Sequence, residues 1–398
     1  MVTAMAAAPA YSETDRGHYL FVWTGDQAKQ GNDFLIVLDA DPASPTYGKM
    51  LIGVGTDIKS VRNHHTEYEM PASGMLFAND HDANRSVIFD LRKPLEPKVT
   101  ASFESLAGYA MPHSFLRLPN GNVLASFQFA DRGGHDHGGP MAMQGKSGGL
   151  VEIDDSGKAV RSASNADPAF ANEGLLPYSL VVLPGIDRVL VTNSPMGNEF
   201  LLSSNTYQMF RLSDLKLLGT HRFDPGPSLN GHISPEEARV GPDGAAYVQT
   251  LSCGIQRVTG MDGLKPSAML IHQFPGNFCG VPTVVGHYLV QSVPSIHGYA
   301  VLDIADSANV REVSRLVIND EYRPHWTAWD AKAKRLVVTS GKSGDRMYLL
   351  KLDEKTGALS VDEAFRDTDG QVGFSFAKRA WPHGWTGEGS PHGAVFSR

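Results

Sequence analysis

The sequence predicts an all-β fold: a seven-bladed β-propeller closed by its own N-terminal strands. Three observations predict it. The composition is rich in turn formers, short apolar strands recur with Asp at their ends, and a His-led pair of strands repeats along the chain.

The chain has 398 residues, of which 41% are hydrophobic and 20% charged, enough to bury a large core. Its 41 Gly and 24 Pro imply many turns, as an all-β protein needs. The net charge of -8 argues against nucleic acid or an anionic membrane as partner. No apolar run approaches the length that spans a bilayer. Residues 1–17 are read as a flexible N-terminus, a possible signal-peptide remnant, because Ala4–Ala10 is a small-residue stretch like those around signal-peptidase sites. That reading places the protein in the periplasm or outside the cell; a cytoplasmic tail is the alternative. Residues 18–398 show no linker-like shift in composition and are read as one domain.

Short strand-like runs ending in turn signals fill this domain, among them Phe34–Asp39, Val87–Asp90, Leu150–Asp154, Tyr299–Asp303 and Met347–Asp353. Aligning the repeated phrase on its turn gives blade starts near His65, His113, Tyr178, Glu237, Pro282, His325 and His392. These lie 43 to 67 residues apart, consistent with four-stranded blades of about 40–50 residues carrying loop insertions. The last start lies close to the end of the sequence, so Tyr19–Trp23 and Phe34–Asp39 are expected to complete that blade and close the ring.

If each copy is one blade, His65, His113, His325 and His392 converge on the axis as metal ligands. Imidazole is the commonest metal ligand, and all-imidazole ligation suits copper, iron, zinc or manganese. His64 precedes His65, and neighbouring strand residues point to opposite faces. One of the two is therefore the ligand, His65 by register, and His64 supports it or meets substrate. His232, just ahead of a blade start, is a candidate ligand or proton shuttle. Glu67 and Glu237 are candidates to hold a ligand ring N–H or move protons. Glu236 is read as a solvated carboxylate or an ion pair with Arg239. His135 and His137, in a Gly-rich loop, are read as solvated, and His383 as a loop residue. Cys253 and Cys279 lack metal or redox spacing and are read as structural thiols, with a disulfide open to them in an oxidising compartment. There is no nucleophile elbow, P-loop or dinucleotide fingerprint.

Several runs, in order over nearly the whole chain, resemble the selenium-binding protein / methanethiol oxidase family. They include Phe34–Tyr47 followed by His64-His65, Ser86–Val99, Gly148–Asp154, Pro235–Val240, Gly254–Arg257 and Ile296–Ile304. The resemblance implies a seven-bladed propeller with copper at axial histidines and oxidation of methanethiol to formaldehyde, hydrogen peroxide and hydrogen sulfide. His64, His65, His113, His297 and His392 fall where that family keeps histidines; His325 does not. The cysteine that follows the family's double His is missing from Thr66–Gly74, which excludes selenium binding by that thiol. The functional expectation is thus a copper-dependent oxidase or oxygenase using O2 on a small organic, possibly sulfur-containing, substrate. A propeller hydrolase or lyase with a redox-inert metal, and a non-catalytic binding propeller, are the alternatives.

Overall fold

The computed structural model describes residues 17–130, 146–196, 204–223, 233–342 and 344–398. Most of the stretch read as a signal remnant, with His135, His137 and His232, lies outside them. Seven four-stranded antiparallel sheets follow one another around a ring. Their innermost strands are Asn63–Thr66, Tyr109–Arg117, Pro177–Leu183, Pro235–Val240, Thr283–Val285, Pro324–Asp330 and Gly389–Phe396. Every predicted blade start falls on one of these strands or on the residue before it. The seventh blade is built from both ends of the sequence: Gly389–Phe396 pairs with Tyr19–Asp26, which pairs with Asn32–Asp39 and then Met50–Lys59.

The physical cause of the ring is legible in burial. Inner and middle strands such as Tyr19–Asp26 and Arg335–Ser340 are buried on both faces, because each blade is sandwiched between two neighbours. Outer strands such as Ala159–Ser164 and Arg311–Val317 alternate between partial burial and exposure, the period-two pattern of a strand with one wet face. Seven apolar clusters each join two successive blades, for instance Phe77 and Ile88 against Phe115 and Phe127. The cluster that closes the ring packs Leu20, Phe34, Trp326 and Phe396 together.

One irregularity recurs and positions the site. On six inner strands, pairing to the second strand advances three residues against two, which is a β-bulge. The bulged pairs are His64-His65, His113-Ser114, Tyr178-Ser179, Glu236-Glu237, His325-Trp326 and His392-Gly393. In four blades the N–H of the second bulged residue is capped by a second-strand side chain: His65 by Asn79, Ser114 by Ser126, Ser179 by Thr192 and Glu237 by Gln249. The Gly280 N–H donates to Ser292 Oγ in the same way, which puts Cys279-Gly280 at this place in the remaining blade. Two of the second residues are glycine for a steric reason. A Cβ at Gly393 would stand 2.5 Å from the Thr66 nitrogen, and one at Gly280 2.5 Å from the His325 carbonyl oxygen.

Candidate metal centre

The first residues of the six bulges, with Cys279 at the equivalent place in the remaining blade, form a ring: His64, His113, Tyr178, Glu236, Cys279, His325 and His392. All but His113 line one cavity of about 420 Å³ at that end of the propeller. Ring centroids track the order of the blades. His325 lies 4.6 Å from His392, His392 lies 4.4 Å from His64, His64 lies 4.7 Å from His113, and His113 lies 3.7 Å from Tyr178. Four consecutive blades thus supply an arc of histidine, and the other three supply Tyr178, Glu236 and Cys279.

Two sequence expectations are corrected by the bulge. His64 and His65 do not point to opposite faces, since their rings stack at 4.0 Å. A bulge leaves its two residues facing one partner residue, so the simple alternation fails there. The repeat also selects His64 rather than His65 as the counterpart of His113, His325 and His392. His65 lies a layer deeper, with Nδ1 3.4 Å from Ser114 Oγ and Nε2 3.8 Å from Glu237 Oε1. The ring nitrogens of His64, His65 and His113 still lie within 4.8 Å of one another.

The nitrogens are left as a metal would need them. His113 Nδ1 lies 3.0 Å from the Tyr178 carbonyl, which can only accept, so the proton sits on Nδ1 and the Nε2 lone pair is free. That Nε2 is buried with no hydrogen-bond partner, as are His64 Nδ1 and His392 Nδ1. His325 Nε2 lies 2.9 Å from His392 Nε2, so one of the two donates to the other. Burial, then the neighbouring imidazoles, push His64, His65 and His392 well below the usual histidine range. Burial likewise lowers His113 and brings His325 down to about 4. The arc is therefore neutral near pH 7, the form that ligates. Three unpartnered nitrogens in a buried, neutral imidazole cluster fit a transition metal.

Carboxylates divide differently from the expectation. Glu67 is not available to a histidine: both its oxygens accept from Arg117, at 2.7 and 3.1 Å, and Oε2 also accepts the Phe77 N–H. Glu237 lies beneath His65 and accepts from Tyr68 at 2.5 Å, Ser179 at 3.1 Å and Arg239 at 3.1 Å. Glu236, read from sequence as solvated or ion-paired, is 5% exposed and lines the cavity. Its carboxylate accepts from Gln249 Nε2 at 3.2 Å. Burial, and secondarily the Glu237 charge, push it up to about 8.

Other candidates fall away from the arc. His297 occupies a left-handed position after a short 3-10 turn and bonds the Tyr322 carbonyl. His383 packs on Phe34, as a loop residue. Tyr178, Glu236 and Cys279 were missed as site residues. The signal was present, because proline precedes the ring residue at Pro112, Pro177, Pro235, Pro324 and Pro391.

Glu236 gives a testable pH effect. The folded state holds its proton up to about pH 8, whereas an unfolded carboxyl releases it near 4.5. The unfolded chain therefore binds fewer protons between these values, and stability falls as pH rises through them. Glu236→Gln, always neutral, is expected to raise the melting temperature of metal-free protein at pH 8–9 by several degrees, with little change at pH 5. Thermal melts of both proteins at the two pH values check this.

No family model matches the chain, and no curated protein matches it in sequence. Solved structures do match. A hypothetical selenium-binding protein from Sulfolobus tokodaii superposes with a TM-score of 0.72 at 15% identity, over 97% of this chain and 94% of its own. A protein from Lactobacillus plantarum gives 0.65 at 13% identity, over 96% and 100%. The periplasmic gluconolactonase of Pseudomonas aeruginosa gives 0.63 at 14% identity, over 96% and 99%. At these identities the likeness is one of fold. Among the described residues, no helix is long and apolar enough to cross a membrane.

Proposed function

We propose that the histidine arc holds a redox-active transition metal, copper by preference, and that the protein oxidises a small organic substrate there with O2. A compact thiol is the favoured substrate class. The observation that carries this reading is the set of three buried, unpartnered imidazole nitrogens contributed by separate blades. When bound, copper would accept electrons from substrate and pass them to O2. His64, His65 and His113, whose ligand nitrogens lie within 4.8 Å of one another, would hold it, with His392 and His325 beside them. The rest of the chemistry belongs to the chain. Tyr178, which packs against His113, and Glu236 line a cavity beside the arc that is sized for a small molecule. Glu236 keeps its proton at neutral pH and is the group to return a proton to a reduced product.

A location outside the cytoplasm is part of the proposal, and the Cys253–Cys279 disulfide supports it. A second reading has its own support. A protonated carboxyl opposite a metal site also serves hydrolysis, and one propeller of this fold is a gluconolactonase. In that case the metal is redox-inert and polarises a carbonyl.

Metal analysis of untagged protein, with an optical spectrum and assays of O2 uptake on small thiols and of lactone opening, separates them. About one copper per chain with thiol-dependent O2 uptake is expected. Zinc with lactone opening would replace the first reading by the second, and absence of any stoichiometric metal after reconstitution would overturn both.

A further inference from the structure

Cys279 stands in the ring where four other blades place histidine. Its assignment rests on the Gly280 N–H cap and on its lining the same cavity as His325, Glu236 and His392. The two sulfurs are not equivalent in this respect. Cys253 belongs to the turn Thr250–Gly254 and does not line the cavity, while Cys279 does. They are bonded to each other, with Cα atoms 5.0 Å apart, and each is 1% exposed. The segment carrying Cys279 is held on both sides. Its carbonyl accepts from Gln249 at 2.5 Å, and the Val281 N–H donates to the His325 carbonyl at 2.9 Å. The ring position is therefore fixed by hydrogen bonds to the preceding and the following blade, and does not depend on the disulfide alone.

We propose that Cys279 is a latent ligand of the axial centre, withheld by its bond to Cys253 and released by a dithiol reductant. The proposal rests on the reading of the arc as a metal centre, and it adds a second state to that centre. The step balances as a thiol–disulfide exchange. One thiolate of the dithiol attacks a sulfur of the Cys253–Cys279 bond, and the partner sulfur leaves as thiolate. The second thiol of the reductant then closes its own disulfide, so both cysteines are reduced by two electrons taken from the dithiol. Cys279 loses its remaining proton to solvent when it ligates. Two of the orphaned nitrogens, His64 Nδ1 and His392 Nδ1, belong to residues that line the same cavity as Cys279, and they supply the independent mark of a ligand site that the thiol would join. Adding one soft sulfur to an imidazole set shifts preference towards zinc and monovalent copper. In the oxidised protein the site is nitrogen-based; in the reduced protein it becomes a mixed nitrogen–sulfur site.

Cobalt(II) is the probe, because thiolate ligation gives it a strong near-ultraviolet charge-transfer band beside its visible ligand-field bands. Metal-free protein is titrated anaerobically in three forms: oxidised, reduced with dithiothreitol and desalted, and Cys253→Ser. The expected result is ligand-field bands in all three, with a charge-transfer band of one thiolate per cobalt only in the reduced and Cys253→Ser forms. That band should vanish in Cys279→Ser. Ligand-field bands without the charge-transfer band in the reduced wild-type chain would overturn this proposal and leave the histidine centre standing. The same band surviving in Cys279→Ser would also overturn it. Failure of every form to bind cobalt would overturn both.

Discussion

Replacing His64 with alanine is expected to strip the metal while leaving the propeller folded. His64 is the central member of the arc, with His392 at 4.4 Å on one side, His113 at 4.7 Å on the other and His65 stacked beneath it. Loss of a group that merely supports a ligand costs about 10–100-fold in affinity, so loss of a ligand should exceed that. Metal content should fall from about one per chain to a small fraction of that after dialysis. The fold should tolerate the change, because Nδ1 of His64 has no partner to lose and its burial is itself unfavourable. The acid limb of stability provides an independent readout. His64 is held well below the ordinary histidine value, so below about pH 6.5 the unfolded chain binds protons that the folded one refuses. Stability is full above that pH and is lost as pH falls. Metal-free His64→Ala should therefore lose less stability than wild type between about pH 6.5 and 4. Full metal retention in this variant, measured by elemental analysis, would remove His64 from the ligand set.

The ring was legible in the sequence, and the depth of each side chain within it was not. Blade starts could be read because strand, turn and strand repeat with apolar periodicity, which is set by the same burial that builds each sheet. Closure could be read because the His392 phrase needs partner strands and the runs Tyr19–Trp23 and Phe34–Asp39 supply them. The bulge could not be read from alternation, which assumes one residue per partner, and this is why His65 was preferred to His64 and Glu237 to Glu236. The proline that precedes five ring residues carries that register. Proline cannot donate to a ladder and collects at edges and bulges, and an innermost strand is an edge. Asn63 holds the same place before His64 and Phe278 before Cys279. Aligned on that place, the seven copies would have named Tyr178, Glu236 and Cys279 directly. The disulfide is not legible in the sequence because Cys253 and Cys279 are 26 residues apart and belong to consecutive blades, a proximity that the face-to-face packing of those blades creates.

Removing residues 389–398 is expected to prevent folding altogether, and the reason lies in how the ring shuts. Gly389–Phe396 is the innermost strand of the seventh blade, paired with Tyr19–Asp26 along six positions from Leu20 to Asp26. It also ties the two neighbouring blades. Trp326 Nε1 donates to the Ala394 carbonyl, Thr339 Oγ1 to that of His392, and Asn63 Nδ2 to that of Ser390. Ser397 Oγ accepts the Tyr19 N–H. Without this strand, Tyr19–Asp26 becomes a bare edge whose residues are all buried in the ring, the kind of edge that pairs with another chain. A domain is stable by only about 5–15 kcal/mol, and losing a whole inner strand with its packing exceeds that. The truncated protein should run as aggregate on size exclusion and lose the cooperative melt. A graded version separates packing from closure. Phe396→Ala keeps the strand but empties the space against Leu20 and His18, at a cost of about 3–5 kcal/mol, and should still melt cooperatively at lower temperature. If the truncated chain instead folded as a soluble monomer with a sharp transition, the N- and C-terminal strands would not be what holds the ring closed.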